Sequence, residues 1–323
     1  MPTGVDKDGR DRTAVCCLSS LNIEKYEEWK DDKNFISDVM RFLDNVLTDF
    51  IEKAPEEFSD ATYSAMKERS VGLGVMGLHS FFQQKMIPLE SVMSKVWNKK
   101  IFEHIQKDVD KASRDLAEER GACPDAADYG IKERFSNKTA IAPTASISII
   151  CGGTSPGVEP IAANSFTHKT LSGSFNVRNR YLEKILEKHN KNDDETWSSI
   201  TTNQGSVSHL DFLTQQEKDV FKTAFELDQK WIVELGADRT PHISQAQSIN
   251  IFVPADIHKK ELHQIHFQAW KKGLKSLYYC RSKSIQRAEN VNDAKLTDVT
   301  ANVYKSKNQQ NEEQEYEECL SCQ

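Results

Sequence analysis

The stretch "SINIFVPADIHKKELHQIHFQAWKKGLKSLYYC", residues 248–280, decides the class of fold. Its first seven residues, apolar and β-branched and closed by Pro254, read as a strand. Asp256 is placed to cap a helix running towards Gly273. "LKSLYYC", residues 274–280, then reads as a second strand. Strand, helix, strand in that order predicts a parallel pair joined by a right-handed crossover, hence an α/β architecture.

Working outward, "TAVCCLSSLNI" (residues 13–23) reads as a buried strand. From 34 to 51, Phe35, Val39, Phe42, Val46 and Phe50 recur at the spacing of an amphipathic helix. A second helix carries Trp97, Ile101, Ile105, Val109, Ala112 and Leu116 on one face and stops at Gly121. "TAIAPTASISII" (139–150) reads as strand, loop, strand, ending in a turn at Gly152 and Gly153. Helical periodicity recurs over 181–188 and 215–235. Residues 1–12 form a polar lead, 13–284 the folded body, and 285–323 a polar tail expected to be disordered.

Composition narrows the function. A chain of 323 residues, 38% hydrophobic, buries a sizeable core. A net charge of −7 argues against a nucleic-acid binder, whose footprint would be basic. No apolar run approaches a membrane span, and the polar start is no secretory signal. Seven cysteines without framework spacing suit a reducing cytoplasm.

Five features bear on chemistry. "GLGVMG" matches G-x-G-x-x-G at Gly72, Gly74 and Gly77, but the preceding "YSAMKERS" reads as helix, so a dinucleotide cradle is disfavoured. Close packing of a helix on a neighbouring backbone is the preferred account of these glycines. The terminal "EYEECLSCQ" places Cys319 and Cys322 in a C-x-x-C pair. This is half a zinc site, a staple closing a tiny loop, or a dithiol shuttle, and a mobile tail favours the shuttle. Cys16 and Cys17 face opposite sides of a strand, so one alone can enter a site; a small core hydrophobe is the ordinary role of such a cysteine. "APTASIS" (142–148) offers hydroxyls and amides to a phosphate. The pair Tyr278–Tyr279 could relay an oxidising equivalent, but only where the backbone departs from a regular strand and lets the rings meet.

With "TAVCCLSSLN", "APTASIS", "GVEP", "LYY" and a terminal C-x-x-C in this order, the sequence resembles the large, catalytic subunit of aerobic class I ribonucleotide reductase. The stretch "PTASISIICGGTSPGVEPIAANSFTHKTLSGSF" looks most like the versions of tailed bacteriophages. The resemblance implies the second half of a ten-stranded α/β barrel, built in the family from two five-stranded halves. It implies that Cys16 is one thiol of the active-site disulfide. It implies that Pro143, Thr144, Ala145, Ser146 and Ile147 hold the substrate's phosphates, Ile147 through backbone alone. Tyr278 and Tyr279 match the radical relay, and Cys319 and Cys322 the dithiol that re-reduces the site.

The family's radical-bearing N-x-C-x-E loop is absent: none of the seven cysteines has Asn two residues before it. The chain therefore looks like the C-terminal piece of a split subunit, active only with an N-terminal fragment that supplies the other thiol. Standing alone it is expected to be marginal or associated. The implied partners are that fragment, the small subunit with its diiron-type radical centre, thioredoxin or glutaredoxin, and a ribonucleoside diphosphate. No metal or cofactor is expected on this chain, and ATP and dNTP effectors are expected on the N-terminal piece. An inactive remnant or subunit-binding module is the alternative, with a separate thiol oxidoreductase or zinc-tailed module behind it.

Overall fold

The computed structural model describes residues 2–170 and 173–282. The expected tail, 285–323, lies outside them, and so do Cys319 and Cys322.

The organising element is a parallel array. Strand β3 (Leu18–Asn22) pairs with β4 (Gly72–Met76) in register over five residues, Leu18 opposite Gly72 and Asn22 opposite Met76. Parallel bridges Leu73–Thr139 and Ile141–Gln247 carry the ladder onward. It ends where β7 (Ile251–Val253) pairs with β8 (Cys280–Ser282), again parallel. Five parallel segments thus stand side by side, as the half-barrel expectation requires. Two antiparallel hairpins flank them: β1 (Pro2–Val5) with β2 (Asp11–Thr13), and β5 (Ser165–Thr170) with β6 (Gly173–Arg178). The polar lead is therefore the first of these hairpins. Its turn is stitched by Asp6, which accepts from the amides of Asp8 and Arg10 and from Arg12 Nε.

Helices cover one face of the array. The helix Phe35–Lys53 forms where periodicity predicts, but the buried stripe is Ile36, Met40, Leu43 and Leu47. The expected stripe sits one residue off centre: Phe35, Val39 and Phe50 pack at the margin, while Phe42 and Val46 are exposed. Val92–Arg120 buries Ile101, Ile105, Val109, Ala112 and Leu116 as expected and ends at Gly121, whose φ of 88° suits glycine. Arg180–Lys188 also matches. The run 215–235 breaks into Gln215–Val220 and Gln229–Arg239, capped by Thr214 and Asp228 respectively. The crossover helix is Lys259–Lys271, and its N-cap is His258 rather than Asp256.

Three further expectations are corrected. "GLGVM" is β4, fully buried, and not a helix contact. Close backbone approach is still the reason for glycine at Gly74, where a Cβ would lie 2.3 Å from the Ala140 carbonyl oxygen; at Gly72 a Cβ would meet the Leu18 side chain. "ASISII" is the helix Ala145–Ile150, because Thr144 turns left-handed (φ 54°) ahead of it and Gly152–Gly153 stop it. "LKSLYYC" joins the ladder as a strand only at Cys280.

Candidate active site

Strand alternation sorts the two cysteines. Cys17 is buried on the helix-covered side, its Sγ 3.8 Å from the Leu43 carbonyl, and burial pushes its thiol pKa up. Cys16 points the other way and is exposed, contrary to the expectation that it is buried. Leu18, two residues on and on the same side, is exposed as well, whereas Leu21 enters the core. Cys16 is thus the member of the pair on the face that the helices leave open.

The expected phosphate loop follows the segment 139–141. Thr144 is buried, and its hydroxyl accepts from the Gly157 amide at 2.7 Å, so it braces the loop instead of projecting from it. Ala145, Ser146 and Ile147 are exposed. The first bond of the helix runs from the Ser148 amide to the Thr144 carbonyl, so the amides of Ala145 and Ile147 have no partner within the helix. Ile147 has no side-chain donor, so its amide is the only hydrogen-bond donor it offers.

The far end of the loop is held by a residue the sequence reading missed. Arg180 Nη2 donates to the Gly152 carbonyl, and its Nη1 lies 3.4 Å from Glu24. Glu24 is buried and also accepts from the Tyr181 hydroxyl. Burial first, then that carboxylate, pushes the Tyr181 phenol above its ordinary pKa. No local pattern in "NRYLE" reveals this, because the partners are distant in sequence.

Tyr278 and Tyr279 lie just before β8, 39% and 55% exposed. Their ring centroids are 4.1 Å apart with planes at 52°, so the rings do meet. The Tyr278 amide donates to the Ile249 carbonyl (2.8 Å), and the Tyr279 amide to Asn250 Oδ1 (3.0 Å). Asn250 Nδ2 in turn donates to Glu159 Oε1 at 2.6 Å. Glu159, from the "GVEP" motif, is buried; burial pushes its carboxyl up, partly offset by Asn250.

The array orders these parts. The registers bring the tyrosines level with the start of the loop: Ile141 bridges Gln247, so Pro143 is level with Ile249, the residue that accepts from the Tyr278 amide. Among the described residues no group of three or more His, Cys, Asp or Glu could hold a metal ion. No described helix is long and apolar enough to cross a membrane.

Comparison with known proteins bears on the family and the fold. The family model "Ribonucleotide reductase, barrel domain" matches residues 5–129 and 125–280. The chain belongs to the ribonucleotide reductase barrel family. It is 53% identical over 284 residues to the ribonucleoside-diphosphate reductase large subunit of Invertebrate iridescent virus 6, spanning 87% of this chain and 29% of that protein. It is 38% identical to the putative large subunit of Frog virus 3, over 97% of this chain and 53% of that protein. The class Id ribonucleotide reductase alpha subunit of Actinobacillus ureae superposes with a TM-score of 0.77 at 38% identity, covering 85% of this chain and 51% of that one. The chain therefore spans about half or less of these reductases. The expected likeness to tailed-bacteriophage versions is met only at the coarser level of viral relatives, and the α/β half-barrel expectation holds in the fold.

Proposed function

We propose that this chain supplies the second half of the catalytic barrel of a class I ribonucleoside-diphosphate reductase. It works with the N-terminal half of the large subunit, which carries the other active-site thiol and the effector sites. A small subunit provides the oxidising equivalent from its radical metal centre. The substrate's 2′-hydroxyl leaves as water; the two electrons come from two thiols that become a disulfide, Cys16 being one of them. Cys319 and Cys322 exchange with that disulfide and are themselves reduced by thioredoxin or glutaredoxin. In the loop of Pro143, Thr144, Ala145, Ser146 and Ile147, the amides of the helix start hold the phosphates, Pro143 opening the turn and Thr144 bracing it.

The observation that supports this reading most is the contact between the Tyr278 and Tyr279 rings. Adjacent side chains on a regular strand point to opposite faces, so neighbouring phenols meet only where the backbone is specially arranged. A phenol passes on an electron by also losing its proton, and phenylalanine cannot.

The test is reconstitution of the full chain with the N-terminal half and a small subunit, measuring deoxynucleotide formed. Tyr278→Phe and Tyr279→Phe should each abolish turnover with the fold intact. Cys16→Ser should remove even one productive turnover. Cys319→Ser or Cys322→Ser should spare a single turnover and block repeated ones with thioredoxin. Full activity in either phenylalanine variant overturns the relay.

A further inference from the structure

We infer that Asn250 is a positioning residue for the tyrosine pair: it clamps a backbone bulge that brings the two phenols together, and Glu159 fixes the orientation of its amide. The inference rests on the relay reading of Tyr278 and Tyr279 and adds the device that creates their contact.

The argument begins with register. In the β7–β8 pair, Ile251 stands opposite Cys280 and Phe252 opposite Arg281. The Ile251 amide donates to the Tyr279 carbonyl at 2.9 Å, as a parallel ladder requires. Continued regularly, the ladder would have the Ile249 carbonyl accept from the Tyr279 amide. It accepts from Tyr278 instead, at 2.8 Å. Between those two bonds lie two residues on one strand, Tyr278 and Tyr279, and a single residue on the other, Asn250. Two residues opposing one is a bulge, which re-aims side chains and leaves one amide outside the ladder.

That amide belongs to Tyr279, and Asn250 Oδ1 receives it at 3.0 Å. Asn250 is 1% exposed, so a lost partner here would not be replaced by bulk water. Its amide has one workable orientation. With Nδ2 donating to the Glu159 carboxylate at 2.6 Å, Oδ1 must face the Tyr279 N–H; a flip would set oxygen against carboxylate and NH2 against N–H. Glu159 is itself placed by the turn it follows, where its amide donates to the Pro156 carbonyl at 3.0 Å. On the outer side, the Arg281 guanidinium lies 5.8 Å from the Tyr279 ring centroid. The bulge is therefore answered group by group by residues that take no part in electron transfer.

Fluorine on the two rings reads the geometry directly. With 3-fluorotyrosine at 278 and 279 of the full chain, through-space 19F–19F contact is expected in the parent and in Glu159→Gln, which keeps an acceptor for Asn250. It should be lost in Asn250→Ala. In the reconstituted assembly, Asn250→Ala should lower kcat by about tenfold or more with KM for the nucleotide little changed, and Glu159→Gln should restore most of the turnover that Glu159→Ala loses. Should Asn250→Ala fail to fold, Glu159→Ala reads the same contact at one remove, and a parent-like fluorine signal there overturns the inference. So does an Asn250→Ala chain that keeps its ring contact, or one that loses it with turnover unchanged. A parent assembly that forms no deoxynucleotide counts against the proposed function, whereas the ring contact decides the positioning independently.

Discussion

The two ends of the parallel array are built on different principles. At the β3–β4 end the ladder satisfies its own backbone groups over five residues, and the helix layer behind it is braced by charge. Asp44, fully buried, meets Arg69 Nε at 2.9 Å and Arg120 Nη1 and Arg134 Nε each at 2.8 Å. At the β7–β8 end the ladder is three residues long, and neutral amides answer what it leaves open. Asn250 takes the Tyr279 amide and Gln229 the Phe252 amide at 2.8 Å. Even the buried cation there, Arg239, is met by amide oxygens, Gln247 at 2.6 Å and Asn98 at 3.2 Å, and burial pushes its pKa down to about 9. A strand that closes its own ladder needs only to be covered. One that departs from regularity needs a specific side chain for every group it frees, and this is the end where the tyrosines meet.

The largest expected effect breaks the charged end. Burial alone would raise the Asp44 carboxyl, but Arg134, Arg120 and Arg69 outweigh it and hold the group below its ordinary pKa. Asp44→Ala would leave Arg69 buried without its carboxylate, which typically costs about 3–5 kcal/mol. Urea unfolding of the full chain should show a loss of that size. A loss below about 1 kcal/mol would mean that the guanidiniums are solvated by other means and that the contrast between the ends is false.

Acid sharpens the comparison, because it reaches one device before the other. His79, just after β4, is 1% exposed, and its Nδ1 accepts from the Ile161 amide at 2.9 Å. The ring is thus neutral, with its proton on Nε2, and burial pushes its pKa from 6.5 down to about 4. The unfolded chain binds that proton at a higher pH than the folded one, so stability is full above pH 6.5 and falls as pH drops towards 4, by about 3 kcal/mol in all. Asp44 has its folded pKa depressed, so its contribution persists through that window and is lost only at pH values below its ordinary 3.8. His79→Asn, which can keep an acceptor for Ile161 without titrating, should flatten the slope between pH 6.5 and 4. An unchanged slope would assign it to other groups.

What the sequence made legible follows the same divide. Periodicity located the helices Phe35–Lys53, Val92–Arg120 and Arg180–Lys188, and the β7–helix–β8 unit, because burial of one face leaves a local trace. It did not reveal β4, since glycine is a poor strand former and is chosen there for its clearance from Ala140. Nor did it reveal the helix at 145–150, set by the left-handed turn of Thr144 and by the Gly157 amide that Thr144 braces. Family motifs suggested the candidate site residues, but not the groups that support them. Asn250, Glu159, Arg180 and Glu24 act across separations of 28 to 157 residues, and no local periodicity announces it.

The smallest expected effect tests whether the amide-held end is a separate unit. Gln229 Nε2 donates to the Ala224 and Leu227 carbonyls at 3.0 and 2.8 Å while its Oε1 receives the Phe252 amide. Gln229→Leu nearly preserves volume but strands these groups, and an unsatisfied buried amide costs about 1–3 kcal/mol. Because these bonds tie β7 to the neighbouring 224–227 segment, the damage should be local. Hydrogen exchange at Phe252 should accelerate, with exchange in β3 and β4 unchanged, since local openings follow the bonds that are lost. Asp44→Ala should do the reverse, loosening β3 and β4 more than β7. If both variants accelerate exchange equally at both ends, the array opens as one body, and the bulge at Asn250 must then be held by the whole barrel rather than by its neighbouring amides.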